Sequence, residues 1–131
     1  MVLYAGFFLI DINDKVLIIR YSHGKNKGLY GGPGGHIEKY DKNLKATAIR
    51  ELKEETNIDY CNLEILNEKS WTYNKKIKLF VVRIKSFPKI TLSDEHDNYK
   101  KIKFNNLNNY PLTETFKYTL EINLKLNKKN G

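Results

Sequence analysis

A chain of 131 residues, 40% of them hydrophobic, supplies one domain with room for a real core, and residues 1–131 are read as that single domain. No apolar run reaches membrane-spanning length, because the stretch from Leu3 to Ile10 is too short and includes Tyr4 and Gly6. The net charge of +8 invites a polyanionic partner, but only Arg20, Arg50 and Arg83 among the 23 basic residues are arginine, so scattered lysines supply a diffuse field in place of bidentate phosphate or base readout.

Val2 to Asp11 predicts an apolar strand, Asn13-Asp14 a turn, and Lys15 to Arg20 a second, β-branched strand that forms a hairpin with the first. Tyr21 to Leu29 is a polar loop with two glycines, and Tyr30 to Glu38 is glycine-rich and partly extended. A helix is expected from about Lys42 to Thr56. Asn62 to Tyr73 and Ile77 to Ser86 read as strands joined at Asn74-Lys75-Lys76, and Tyr99 to Phe104 as a short strand. Pro111 and Thr113 open a last helix over Glu114 to Leu126, with Phe116, Leu120 and Leu124 on one face. Propensity alone gives α+β. The single cysteine, Cys61, cannot form an internal disulfide, and the N-terminus lacks the pattern of a secretory leader, so a cytoplasmic protein, monomeric or homodimeric, is expected.

The stretch from Gly31 to Ile58, GGPGGHIEKYDKNLKATAIRELKEETNI, carries the chemistry. At about 100° per residue, Glu51, Glu54 and Glu55 share an arc of roughly 100° on the helix. Leu44, Ala48 and Leu52 form the apolar stripe, and the acidic arc lies beside that stripe, not opposite it. Carboxylates at the edge of a core repel one another and lose solvent, a cost that a bound cation offsets. Hard oxygen ligands suit Mg²⁺ or Mn²⁺, with phosphate oxygens and waters completing the shell.

These residues resemble the Nudix box, G-x5-E-x7-R-E-U-x-E-E-x-G-U, where U is a bulky aliphatic residue. Arg50-Glu51-Leu52-Lys53-Glu54-Glu55 matches R-E-U-x-E-E, Gly35 the first glycine and Ile58 the last U, while Pro33 to Glu38 looks like the P-G-G-x-U-E opening. The resemblance implies an α/β/α sandwich with a mixed, curved sheet. It also implies metal ligation by Glu51, Glu54 and Glu55 with a carbonyl of Gly34 or Gly35, and structural roles for Arg50 and Glu38. Two departures stand out. Asp41 replaces the first glutamate and lies eight residues before Arg50 where the pattern has seven, making Asp41 a candidate helix N-cap. Asn57 replaces the last glycine, and asparagine is the best substitute for glycine in a left-handed helix C-cap.

Leu92 to Tyr99 resembles the S-x-E-H-x-x-Y segment of many Nudix hydrolases, which implies Glu95 as a fourth carboxylate, metal ligand or general base. His96 reads as structural, because a metal-bound water already supplies the nucleophile and no histidine base is required. Glu54 and Glu95 are thus the candidates for catalysis. Arg20 is a candidate for substrate phosphate, and Tyr30, with Tyr4, Tyr21 and Trp71, for stacking on a base. The implied reaction is metal-dependent hydrolysis of a pyrophosphate linkage in a nucleoside diphosphate joined to a group X, with a nucleoside triphosphate or dinucleoside polyphosphate as substrate. The alternatives are pyrophosphate removal from RNA 5′ ends, or a non-catalytic nucleotide-binding module of the same fold.

Overall fold

The computed structural model describes residues 3–121. Seven strands and two helices build it: β1 (Tyr4–Ile10), β2 (Lys15–Tyr21), β3 (Tyr30–Gly31), β4 (Gly34–His36), α1 (Leu44–Thr56), β5 (Ile65–Tyr73), β6 (Ile77–Ile84), β7 (His96–Lys103) and α2 (residues 114–121). Short 3₁₀ turns occupy Tyr60–Asn62 and Phe104–Asn109. The remainder of the expected last helix, including Leu124, lies outside the described residues.

Strand β1 is apolar on both faces because both are covered. Phe7 and Leu9 join Leu17, Ile19, Ala48, Leu52, Phe80 and Val82 under α1. Phe8 and Ile10 join Val16, Ile18, Leu107, Leu112, Phe116 and Leu120 beneath α2. Side chains alternate across a strand, so consecutive apolar residues feed two cores, and the result is a sheet between two helical layers.

The sheet is mixed, in the order β3-β2-β1-β6-β5, with β4 also on β1 and β7 also on β2. β1 runs parallel to β6 from Tyr4↔Ile77 to Ile10↔Arg83. The expected β1–β2 hairpin is reduced to one register pair, Ile10↔Val16. The turn at Asn13-Asp14 forms, with Asp14 at φ 59° and its N–H on the Asp11 carbonyl at 3.1 Å. Beyond it the strands part: β4 takes the edge of β1 near Tyr4, and β7 pairs with β2 from Lys15↔Lys103 to Tyr21↔His96. The β5–β6 hairpin forms as expected, with Asn74 and Lys75 in the left-handed region at its tip. β7 is longer than its sequence suggests, starting at His96 in place of Tyr99.

The splayed β1–β2 pair places the glycine-rich segment. Ala5 lies opposite Gly35 and Gly6 opposite Gly34. A Cβ on Gly34 would lie 2.8 Å from the Gly6 Cα and 2.8 Å from the Tyr4 hydroxyl, so this crossing requires a residue without a side chain.

Candidate metal and nucleotide site

Helix α1 begins two residues later than expected. Its N-cap is Asn43, whose Oδ1 accepts from the Ala46 N–H at 2.8 Å, and not Asp41. The extra residue before the helix is absorbed ahead of the cap, which frees Asp41 for a different contact. Arg50 donates to both Asp41 oxygens, from Nε and Nη2 at 3.0 Å each. The same Asp41 accepts from the Thr47 hydroxyl and from the Glu38 N–H, each at 2.9 Å. The Arg50 guanidinium and these further donors hold the Asp41 carboxyl well below the usual carboxylate range. Glu38 itself is exposed, and its backbone closes a turn onto Asp41.

Arg50 spends its remaining donors along the same seam. Nη1 reaches Glu51 Oε1 at 2.9 Å and Glu54 at 3.3 Å, and Nη2 reaches the His36 carbonyl at 3.1 Å. One guanidinium thus ties strand β4, the loop and the helix together. At the other end Asn57 adopts φ 62° and its N–H caps the Lys53 carbonyl at 2.9 Å, as its chemistry predicts.

The three helix carboxylates share an arc but not an environment. Glu55 is 2% exposed, and its Oε1 accepts from the Gly34 N–H at 2.8 Å. Burial, then the charges of Glu51, Glu95 and Glu54, push its carboxyl up to about 9 against that hydrogen bond. Glu51 is raised by burial, with Arg50 opposing. The Glu54 side chain is 55% exposed.

The segment before β7 is laid against the end of α1. Thr91 N–H donates to the Thr56 carbonyl at 2.9 Å, and Ser93 N–H to the Glu55 carbonyl at 3.1 Å. Ser22 holds it from the other side through the carbonyls of Asp94 and Glu95. Glu95 and His96 therefore meet Glu55, and one ligand atom from each of the three lies within 4.8 Å of the others. His96 is buried, with Nε2 3.6 Å from Glu55 Oε2 and its ring centroid 4.6 Å from that of Tyr21. Burial lowers its imidazole to about 4.

Beside this cluster, on the sheet face away from α1, lies a cavity of about 330 Å³. Tyr4, Tyr21, Pro33 and His36 line the side nearest the acids, and Phe8, Leu79 and Phe116 its apolar floor and wall. The Tyr4 and Tyr21 phenols hydrogen-bond each other and feel the charges of Glu55 and Glu51, so both are raised, Tyr21 to about 12. Burial is the largest cause in each.

The remaining candidates lie apart from the carboxylates. Arg20 is the last residue but one of β2, with Nε 2.7 Å from Asp97 Oδ1 and its guanidinium 5.9 Å from the Tyr30 ring centroid. Tyr30 is 4% exposed within the second core, and its hydroxyl accepts from Asn98 Nδ2 at 3.0 Å. Trp71 is half-buried on strand β5.

The model of the NUDIX domain family matches residues 2–121. The chain belongs to the Nudix family. As a Nudix protein it is a pyrophosphohydrolase. Its fold is shared by a Caenorhabditis elegans Ap4A hydrolase in a binary complex, at 20% identity and TM-score 0.74, over 96% of this chain and 98% of that one. The MutT protein of Methanosarcina mazei Go1 is similar at 22% identity and TM-score 0.69, over 97% and 95% of the two chains. A bifunctional NMN adenylyltransferase/ADP ribose pyrophosphatase of Francisella tularensis, complexed with AMP and a Mn ion, is similar at 24% identity and TM-score 0.73 over 95% of this chain and 42% of that chain. No curated protein sequence matches the chain. Among the described residues no helix is long and apolar enough to cross a membrane.

Nudix enzymes generally use a divalent metal, and the residues fit one. A Cβ on Gly35 would lie 2.6 Å from Glu51 Oε2, so the backbone of β4 is bare where the carboxylates gather. The donors are hard oxygens, and a carboxyl raised by burial and by the charges of its neighbours gains from a cation.

Proposed function

We propose that this Nudix hydrolase performs Mg²⁺- or Mn²⁺-dependent hydrolysis of a pyrophosphate linkage in a nucleoside triphosphate or a dinucleoside polyphosphate. The observation that carries the reading is the join between two features: the Glu51, Glu54, Glu55 and Glu95 group abuts, through Tyr4, Tyr21 and Pro33, an aromatic-walled cavity of about 330 Å³. A base fits an apolar cavity of that size, and its phosphates then run toward the carboxylates. The likeness to an Ap4A hydrolase over nearly all of both chains supports the substrate class.

Glu51, Glu54, Glu55 and Glu95, with a carbonyl of Gly34 or Gly35, would hold the metal. Bound there, a divalent cation supplies charge neutralisation at phosphate oxygens and a more acidic water. Glu54 and Glu95, the exposed members, would take the proton of the attacking water. That water adds to one phosphorus of the anhydride, and the bond to the other phosphate breaks. Arg50 fixes the helix against β4 through Asp41 and the His36 carbonyl, which keeps the carboxylates in place. Arg20, at the end of β2, meets a phosphate distal to the cavity.

The test is a panel of nucleoside triphosphates, dinucleoside polyphosphates and triphosphorylated or capped RNA, with products resolved, in Mg²⁺, in Mn²⁺ and in EDTA. Turnover of small nucleotides that stops with chelator supports the reading. Full activity in EDTA overturns the mechanism, and preference for RNA overturns the substrate class.

A further inference from the structure

We propose that His96 is a nitrogen ligand of the bound metal, forming with Glu55 and Glu95 a mixed site that favours Mn²⁺, Co²⁺ or Zn²⁺ over Mg²⁺. This rests on the reading that the carboxylates hold a divalent cation, and it adds to that reading a ligand and a metal preference.

The imidazole is buried, and neither Nδ1 nor Nε2 has a hydrogen-bond partner among the described residues. Buried polar atoms nearly always have partners, and leaving one without is costly. The protein nevertheless places this ring at the wall of the acid cluster. Nε2 points at Glu55 Oε2 from 3.6 Å, which is too far for a hydrogen bond and leaves a gap between two donor atoms. Glu95 brings a third donor, with all three atoms within 4.8 Å of one another. Donor atoms at about 2.1 Å from one cation stand at most about 4.2 Å apart, so the group closes by roughly half an ångström on binding.

Position as well as distance favours ligation. His96 opens β7, and the segment before it is held to α1 by the Thr91 and Ser93 hydrogen bonds. The Tyr21 ring lies tilted against it, centroid to centroid 4.6 Å. The backbone that carries the imidazole is tethered, its own N–H donating to the Ser93 carbonyl at 3.2 Å, and the ring is packed against Tyr21. The other two histidines are differently placed: His23 is exposed and bonded to Ser22, and His36 is exposed with its ring edge-on to Tyr4. Imidazole binds later first-row metals more tightly than it binds Mg²⁺, so one nitrogen donor among carboxylates shifts the order of preference.

The experiment is pulsed electron paramagnetic resonance of Mn²⁺ added below one equivalent to the full-length protein without nucleotide. A coordinated-nitrogen coupling is expected, changing isotope pattern when histidine is supplied as ¹⁵N-histidine. It should persist in the His23→Gln/His36→Gln double variant and vanish in His96→Phe. The wild-type preference for Mn²⁺ over Mg²⁺, measured as a ratio of Kd values, should fall by about tenfold in His96→Phe. The labelling and the double variant assign the nitrogen even if His96→Phe does not fold. If Mn²⁺ binds, weakens with Glu55→Gln and shows no nitrogen coupling, the proposal fails while the carboxylate site stands. If Mn²⁺ does not bind at all, both readings fail.

Discussion

The Glu51 carboxylate fills the space beside Gly35: a Cβ on Gly35 would lie 2.6 Å from Glu51 Oε2 and closer still to the carboxyl carbon. The clash meets the far end of a flexible side chain, not backbone. Gly35→Ala should therefore fold with little loss of Tm while turning the Glu51 carboxylate out of place. Misplacement by about 1 Å costs roughly a hundredfold in activity. Steady-state kinetics beside a melting curve checks this, and wild-type kcat in the alanine variant would show that Glu51 need not stand where it does.

Glu54 and Glu55 are one residue apart but should respond differently. Glu54→Gln and Glu55→Gln each keep helix propensity and remove a group that can ionise to hold a metal. Both should lower kcat by about a hundredfold, the worth of one electrostatic element. Only Glu55→Gln should raise the Tm of the metal-free protein, because only Glu55 is a fully buried carboxyl facing Glu51 and Glu95. Retention of kcat in both variants under saturating metal would remove the helix from the chemistry.

That difference marks how far the sequence reaches. The box residues and the helical period are enough to place Glu51, Glu54 and Glu55 on one arc, and the Asn57 cap follows from local chemistry. Which of them is buried depends on the β4 crossing over Gly6 and on the loop tethered through Thr91 and Ser93, both contacts between distant segments. Asp41 misleads for a similar reason. A small acid just before a helix reads as a cap, but Asn43 caps and Asp41 takes the Arg50 fork nine residues on. The β1–β2 hairpin shortens to one pair because β4 takes the facing edge of β1 and β3 the facing edge of β2, while β7 lies along the other edge of β2.

Stability of the metal-free protein should be nearly level between about pH 5 and 6, with a shallow maximum near pH 5.5, and should fall above it. The Glu55 carboxyl titrates at about 9 when folded and near 4.5 when unfolded, so the folded state binds the extra proton between them and stability falls as pH rises. His96 titrates at about 4 folded and near 6.5 unfolded, so its contribution is lost as pH falls through that window. The two oppose each other below pH 6.5, and above it Glu55 acts alone. Asp41, held well below its ordinary value, adds a loss at pH values under about 4. Melting curves in EDTA from pH 4 to 9 check this. Glu55→Gln should flatten the limb above pH 6.5, and a wild-type curve flat from 6.5 to 9 would refute the buried carboxyl.

Arg50→Lys should destabilise the fold more than it alters metal affinity. Lysine keeps the charge but cannot make the two-pronged bond to Asp41 while reaching Glu51 and the His36 carbonyl. The Asp41 side chain is only 3% exposed, so it would be left poorly paired. Denaturant unfolding measures the loss, and an unchanged midpoint would mean the fork does not hold the loop.

Salt separates a small nucleotide from RNA. The lysine coat is a diffuse field, screened beyond about 8–10 Å at physiological ionic strength, so kcat/KM for a nucleotide should fall only modestly with NaCl. A single-stranded RNA substrate engages several phosphates together and gives a log–log slope near 0.7 per phosphate neutralised. Arg20 supplies the second arm. Its Nε is on Asp97, and the pair is exposed, so the guanidinium retains donors for a phosphate at modest cost. Arg20→Ala should raise KM for a nucleotide more than neutralising Lys125, Lys128 or Lys129 singly. Asp97→Asn, which leaves Arg20 in place without its carboxylate partner, should keep KM near the wild-type value or lower it. A steep salt slope with an unaffected Arg20→Ala enzyme would instead make RNA 5′ ends the substrate.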